Sequence, residues 1–390
     1  MAWKELNIMM QRSEFVERAV GEEDSMSQLA REYGISRKTA YKWLGRFKEA
    51  GRAGLEDHSR APHRHPNALS PTMEKEILEW KERKPHWGAP KIHALMDPEQ
   101  RPCESTVSNV LARHGLTRQV RRRGRATPGP AVLVEGEAAN AVWCADFKGH
   151  FQTRDGARCE ALTISDAHTR YLLRCTALRE GIGFKAVQPM FEMTFREYGM
   201  PWVIRTDNGP PFASHGLGGL SQLSVWWLRL GIRLERSRPG HPQDNGRHER
   251  MHRSLGEATA NPPQATLPRQ QKSFDVFRLE FNRERPHEAL GQKPPASLYT
   301  PSTREFPHRL PPPENYPQHW VKRQVRQNGQ IKWCGTMVYV SQALCQEQIG
   351  LELVGEDLWA IYFQSLQLGY LDQRRKRIRR LEQLQWRPLT

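Results

Sequence analysis

The chain has 390 residues and a formal net charge of +16, with a pI of about 9.8 and a mean hydropathy of −0.75. An excess of Lys and Arg on that scale calls for a polyanionic partner, nucleic acid before anionic membrane, and 37% hydrophobic residues suffice for real cores in two to four domains. No apolar run is long enough to span a bilayer, and the opening MAWKELNIMMQRSEF lacks the apolar centre of a secretory leader. The expectation is a cytoplasmic protein with no membrane partner. Its six cysteines (Cys103, Cys144, Cys159, Cys175, Cys334 and Cys345) contain no C-x-x-C pair. A zinc ribbon or finger therefore lacks its ligands, and reduced thiols are expected.

Residues 10–50 carry apolar positions at helical spacing. Ser27 is placed to cap a short helix, Gln28–Tyr33, ended by Gly34; Ser36 opens a second, RKTAYKWLGRFKEA, closing before Gly51. Leu29, Ala30, Ile35, Ala40 and Leu44 supply a shared core. This is the helix-turn-helix layout, whose second helix is available to the major groove. Arg37, Lys38, Thr39, Tyr41 and Lys42 on that helix are candidate DNA contacts, against the plainer alternative of a helical hairpin with a solvated basic face. Residues 51–69 form a linker. Its His58, His63 and His65 lie among Pro and Arg without ligand spacing, which argues against a metal site.

Ser70-Pro71 starts a helix by the Ser-cap and first-turn Pro rule. WGAPKIHALM and ESTVSNVLARHG add two more, the last capped near Glu104-Ser105 and stopped by Gly115. Residues 70–116 thus form a second helix-turn-helix module. Two modules in series suit a long recognition sequence, since each mismatched base pair typically costs about 1–3 kcal/mol. Residues 117–136 are a linker carrying Arg118, Arg121, Arg122, Arg123 and Arg125. Such a tether tracks phosphates and adds salt-dependent affinity without sequence choice.

Near Asn140 the pattern turns to strands, at 141–151, 159–166 and 170–178. A helix with Pro189 inside it or at its start ends at Gly199; Val203-Ile204 is a fourth strand, 217–230 a helical stretch and 232–235 a fifth strand. Two acids stand out in the second half of this region. Asp207 follows a buried strand closed by Asn208-Gly209-Pro210-Pro211, and an acid there projects into the crevice beyond a sheet edge. Glu249 lies about a turn inside a helix opened by Asp244 or Asn245, with His252 and Arg253 on neighbouring positions. A third acid, Asp146, is embedded in the strand VWCADFK. One such acid is ordinarily a turn or cap residue; three in order on strand, strand end and helix weaken that reading.

The strings WCADFKG, RTDNGPPF, PGHPQDNGRHERMH and FNRERPHEALGQKPPASLY resemble the DDE transposases of bacterial insertion sequences, whose core is similar to retroviral integrase. The resemblance covers roughly residues 10–300. It implies a ribonuclease-H-like α/β catalytic core at 137–300 and a metal-dependent polynucleotidyl transferase. It also implies 3′-end cleavage at element ends and strand transfer into target DNA. Asp146, Asp207 and Glu249 are then both catalytic residues and metal ligands, with Asp146 bridging two ions. Two divalent metals about 3.5–4 Å apart activate the nucleophile and stabilise an in-line transition state; an all-carboxylate set suits Mg²⁺ or Mn²⁺. Lys148, His241, His252 and Arg253 are candidate DNA contacts, each with a solvated side chain as the plainer reading. Asp166 matches a strand-end acid outside the triad and takes a turn role.

Two features depart from the family. Asp207 and Glu249 are 42 positions apart, more than is common, with the added length near SHGLGGLSQLSVWWLRLG. Gly256 also stands where relatives usually carry Lys or Arg, which removes a candidate contact to the terminal phosphates.

Residues 301–320 form a Pro-rich linker, stiff at Pro311-Pro312-Pro313. Beyond it Asn328-Gly329 is the hairpin signal between Val325–Gln327 and Ile331–Val340, with Ile331, Trp333, Met337 and Tyr339 alternating against Lys332, Cys334 and Val338. With strands at 349–354 and 358–363 this predicts a small C-terminal β-barrel at 321–372, followed by a basic tail at 373–390. The whole is a multidomain α+β chain. The function expected is that of a transposase acting on double-stranded DNA as a homo-oligomer, because two element ends must be held together. Two alternatives are a catalytically degenerate DNA-binding regulator and a hydrolytic ribonuclease-H-like nuclease. A tyrosine recombinase is disfavoured, since none of the fifteen histidines is followed by Arg three positions later.

Overall fold

The computed structural model describes residues 8–21, 24–57, 68–117, 136–179, 182–237, 246–313 and 315–387, in two units, Met1–Leu69 and Ser70–Thr390. In the first unit, α1 (Ile8–Val20), α2 (Met26–Glu32) and α3 (Arg37–Ala50) enclose Phe15, Val16, Leu29, Ala30, Ala40, Trp43 and Leu55. Ser36 caps α3 as expected, its hydroxyl accepting from the Thr39 N–H at 3.1 Å. The cap of α2 is Ser25 instead of Ser27. Gln28 reaches back to the Ser25 N–H at 3.2 Å, and that reciprocal bond makes the earlier start the better one. The linker also begins later than expected. Leu55 is fully buried in this module, and Arg12, stacked 3.9 Å over Trp43, donates to the Leu55 carbonyl at 2.8 Å. His58, His63 and His65 lie outside the described residues.

The second unit opens with α4 (Pro71–Arg83), α5 (Ala89–Leu95) and α6 (Glu104–Arg113), whose buried side chains include Ile77, Trp87, Ile92, Val107, Val110 and Leu111. The cap of α6 is Cys103. Two lysines tie this helical module to the segment around residues 280–286. Lys84 pairs with Glu280 at 3.1 Å and Glu284 at 2.8 Å, and Lys91 donates to the Pro286 carbonyl at 2.7 Å.

A five-stranded sheet comes next: β1 (Val142–Gln152), β2 (Arg158–Asp166), β3 (Leu172–Leu178), β4 (Val203–Thr206) and β5 (Arg233–Arg236), in the order β3-β2-β1-β4-β5. The first three are antiparallel, while β4 and β5 join parallel to β1. Helices α7 (Phe184–Tyr198) and α8 (Gln222–Arg229) cover one face. There Trp143, Ile164, Phe191, Phe195 and Trp227 form one aromatic-rich core. The other face is covered by α9 (Gly246–Thr259) and α10 (Leu267–Arg283), whose Met251, Leu255, Phe274 and Phe277 pack on Cys159, Ala161 and Cys175. Strand alternation alone assigns these two faces. Asp166 takes its turn role: fully inside, it accepts from the Asn140 N–H at 2.7 Å and from the Thr169 N–H and hydroxyl at 2.7 and 2.6 Å.

The C-terminal segment differs from the expected barrel. Strands β6 (Val321–Gln324), β9 (Gln348–Gly355), β10 (Leu358–Phe363), β11 (Leu366–Asp372) and β12 (Arg377–Trp386) make an open sheet in the order β12-β11-β10-β9-β6, and β7 (Gln330–Trp333) and β8 (Thr336–Tyr339) form a separate hairpin. The hairpin turns at Cys334-Gly335, whose φ values of 43° and 76° meet the two-residue type I′ requirement. Asn328-Gly329 also turns, but the strand before it pairs with β9. Val338 is therefore buried, and Met337 and Tyr339 face out. The basic tail is strand β12, paired along β11 from Asp372↔Arg377 to Leu366↔Trp386. Nor are residues 301–320 a bare linker, because Tyr316 and Trp320 are buried against Tyr362.

The added length between Asp207 and Glu249 has a structural use. Its turn at Leu217–Gly219 seats this sheet on the core. A Cβ at Gly218 would stand 2.8 Å from a Leu368 methyl, and one at Gly369 would stand 3.1 Å from a Leu217 methyl and 2.4 Å from the Arg379 carbonyl oxygen. Arg236 closes the junction by donating to the Gly219 carbonyl at 2.7 Å. Gly369→Val is expected to destabilise the unit by about 1–3 kcal/mol, the usual scale of overpacking. A urea-denaturation midpoint equal to that of the unsubstituted chain would show that the junction tolerates a side chain.

Candidate active site

The VIRT strand β4 is buried at every position and ends where Asn208-Gly209 turns the chain. β1 and β4 pair as Val142↔Val203, Trp143↔Ile204 and Cys144↔Arg205. Two residues beyond the last of these pairs come Asp146, still within β1, and Asp207, just past the end of β4; strand alternation turns both toward the same face of the sheet. The Asp207 carboxylate accepts from the Gly209 N–H at 3.2 Å. Gly209 permits this approach, since a Cβ there would stand 3.0 Å from the carboxylate. Asn208 holds the turn by donating to the Ser237 carbonyl at 2.7 Å. Burial raises the Asp207 carboxyl above its ordinary value, and the Gly209 hydrogen bond offsets that only in part.

The face that carries Asp146 is capped by α9. His248 is buried, its Nε2 2.6 Å from the Thr163 hydroxyl and its Nδ1 3.3 Å from the Ser165 hydroxyl. His252 Nε2 lies 2.7 Å from the same Thr163 oxygen, and Thr163 is the β2 partner of Asp146. The Thr163 hydroxyl donates its single proton to the Asp146 carbonyl at 3.1 Å. Both imidazoles must then donate from Nε2 to be satisfied. One turn apart on α9, the rings meet edge to face at 4.7 Å. Burial, aided by the neighbouring His252, holds His248 well below its ordinary pKa; burial, aided by Lys148, lowers His252 to about 4. Both rings are neutral at pH 7. His252 Nδ1 stands 4.0 Å from the Asp146 carboxylate, too far for a hydrogen bond. Burial outweighs what that approach would add.

Glu249 occupies the first turn of α9 and is exposed. An acid there is favoured by the helix dipole. It lies one turn before His252, whose ring meets the Thr163 hydroxyl beside Asp146. Among the described residues, no three of His, Cys, Asp and Glu are grouped closely enough to hold a metal ion. The donor chemistry nevertheless fits a hard divalent cation. Asp146 faces the lone pair of a neutral imidazole, and Asp207 is a half-buried carboxylate with one backbone donor. Holding an ion among all three acids requires the Glu249 carboxylate to come in from the helix flank.

The expected DNA contacts divide into groups. Arg37, Lys38, Tyr41 and Lys42 are exposed on α3, while Thr39 is half-buried in the Ser36 cap. Arg253 is exposed and Lys148 half-buried. His252, with 11% side-chain exposure and an uncharged ring, contacts the Thr163 hydroxyl and brings no positive charge to the surface. Arg118, Arg121, Arg122, Arg123, Arg125 and His241 lie outside the described residues. Sequence reasoning missed His248 and Thr163. The i, i+4 pair of His248 and His252 was a signal for the first; nothing marks a mid-strand Thr.

Comparison with known proteins finds an integrase core and helix-turn-helix domains along this chain. An integrase core domain matches residues 136–242 and again 230–295. A helix-turn-helix domain matches 11–63 and a homeodomain-like domain matches 39–111. An uncharacterized 31.7 kDa protein of insertion element IS407 from Burkholderia multivorans is 26% identical over 280 residues, 70% of this chain and 94% of that protein. A 39.2 kDa protein of insertion element IS476 from Xanthomonas euvesicatoria is 26% identical over 316 residues, 72% of this chain and 87% of that one. Among solved structures, the HTLV-2 integrase catalytic core with magnesium aligns over 42% of this chain and 99% of its own length, at 15% identity and a TM-score of 0.33.

A raised carboxyl pKa means that the folded chain holds the proton more tightly than the unfolded one. Ionised Asp207 therefore costs stability above its raised value, and that cost disappears as pH falls below the ordinary 3.8. Asp207→Asn is expected to raise Tm at pH 7 by roughly 1–3 °C, the gain closing toward pH 4. A lower Tm at pH 7 would show that the charge supports the fold instead of straining it.

Proposed function

We propose, for a chain that belongs with the integrase-core proteins of bacterial insertion elements and carries helix-turn-helix domains ahead of that core, that it is a transposase which cuts and joins DNA. The observation that supports this most is the parallel β1–β4 pairing, beyond whose last pair Asp146 and Asp207 each follow by two residues, both inside the integrase-core match. Glu249 follows on the next helix across the same face. The net charge of +16 suits a duplex partner, and α3 presents Arg37, Lys38, Tyr41 and Lys42 to it.

In the proposed reaction, water attacks the phosphorus at an element end. One P–O bond forms as the bond to the 3′ oxygen breaks, and that oxygen leaves as the 3′-OH. The freed 3′-OH then attacks a target phosphodiester, again exchanging one P–O bond for another, with the target 3′ oxygen taking up the proton. Two Mg²⁺ or Mn²⁺ ions, when bound, would supply activation of the attacking oxygen and stabilisation of transition-state charge. Asp146, Asp207 and Glu249 are the residues that would hold them. Thr163, His248 and His252 tie α9, the helix that carries Glu249, to β1 and β2. The two imidazoles do so without bringing positive charge to the site. Binding two ends at once calls for more than one copy of the chain.

A second reading, that of a DNA-binding regulator without joining activity, is favoured by two observations: Glu249 is exposed, and no three donors are gathered among the described residues. Joining of a pre-cut element end to plasmid DNA separates the two. Robust joining with Mg²⁺ or Mn²⁺ is expected, abolished by EDTA. Asp146→Asn, Asp207→Asn and Glu249→Gln should each lower it on the order of 10³-fold or more, the scale of several kcal/mol of lost charge stabilisation, with end binding nearly intact. Binding without joining at saturating metal supports the regulator, and cleavage without joining supports a hydrolytic nuclease.

A further inference from the structure

Gly256 lies in the third turn of α9, buried, with no positive φ to require a glycine. Glycine inside a helix is unfavourable relative to alanine, so a neighbour must explain it. That neighbour is Lys148. A Cβ at position 256 would stand 2.8 Å from Lys148 Cε and 3.1 Å from Nζ. The ammonium group occupies the space that any side chain at 256 would fill. Lys148 belongs to β1, two residues beyond Asp146, where the β1–β2 register shifts between Phe147 and His150 and Gly149 takes φ +85°. This bulge lets Phe151 share the α9 face with Lys148, and the amine lies 5.4 Å from the Phe151 ring. Among the described residues, no carboxylate lies within ion-pair distance of Lys148. A half-buried ammonium near acidic residues ordinarily takes one as its partner, and this one is held apart from them in a glycine notch.

We propose that Lys148, held in the notch at Gly256, binds a backbone phosphate of the DNA strand whose end is processed at Asp146, Asp207 and Glu249. This deepens the transposase reading and rests on it. A compact ammonium charge with three donors is suited to a phosphate oxygen. The positive charge reaches this turn of α9 from the strand beneath it. Lys148 and Gly256 therefore act as one device, and a residue larger than glycine at 256 evicts the amine.

The test uses the full chain and a duplex carrying the ends of the genetic element that encodes it. Lys148→Met keeps the apolar stem and removes only the charge. It is expected to reduce the slope of log binding constant against log salt by about 0.9, the loss of one phosphate contact on duplex DNA. End joining should fall about 10- to 100-fold. Gly256→Leu should do the same with Lys148 still present. The double variant Lys148→Met, Gly256→Lys returns a cation to the notch from the helix side and should recover both the slope and most of the joining. An unchanged salt slope in Lys148→Met, or a double variant no better than Lys148→Met alone, overturns the assignment. If the unsubstituted chain binds ends but joins none, the transposase reading fails, while the salt slope still decides the phosphate contact.

Discussion

The parallel pairing of β1 with β4 is the constraint on which the rest of the site depends. It joins two strands separated by some fifty residues, and its register decides whether Asp146 and Asp207 turn to the same face of the sheet. A slip by one residue would turn one acid to the opposite face, into the Trp143, Phe191 and Phe195 core. That core fixes the register. Trp143 and Ala145 must be buried on the α7 and α8 side, which leaves Cys144 and Asp146 on the α9 side. Hydrophobic burial, which is non-directional, thereby becomes a positional device for two charges.

The third acid depends on a different kind of contact. Helix α9 is held to the sheet by apolar residues, Met251 and Leu255, and by one hydroxyl that serves three partners. Thr163 links the Asp146 backbone to two neutral histidines on α9. The cost of burying two imidazoles is met by hydrogen bonds at Nε2 on both rings and at Nδ1 on His248. A pair of apolar residues would seat the helix equally firmly but would not fix its rotation. The polar cluster therefore fixes the rotation of α9 against β1 and β2.

Much of this is legible in the sequence because local chemistry and tertiary role coincide. The Ser36 and Ser70 caps, the five core strands, the Pro189-containing helix and the acids beside DNG turns each follow from short-range rules. The integrase core and the helix-turn-helix domains are legible for the same reason. Sequence and structure part where long-range packing decides the outcome. The basic run at 374–380 looks like a solvated tail until β11 pairs with it, because alternation of Arg with Ile378 and Leu381 is hidden by charge. Asn328-Gly329 is the stronger turn signal by composition, yet Cys334-Gly335 closes the hairpin, because the strand before Asn328 is claimed by β9. In the sequence His252 reads as a surface cation. Its burial is explained by Thr163, which no local pattern announces. The long Asp207–Glu249 interval likewise has meaning only against Leu368 and Gly369, far along the chain.

The central claim is that Asp146, Asp207 and Glu249 act together on shared divalent ions when DNA is bound. The most direct measurement is anomalous diffraction from Mn²⁺ in crystals of the full chain with a pre-cut element end. The expected result is two manganese peaks about 3.5–4 Å apart, with Asp146 between them and Glu249 turned in to ligate one. Manganese held without Glu249, or no ordered manganese beside Asp146 and Asp207, would contradict it.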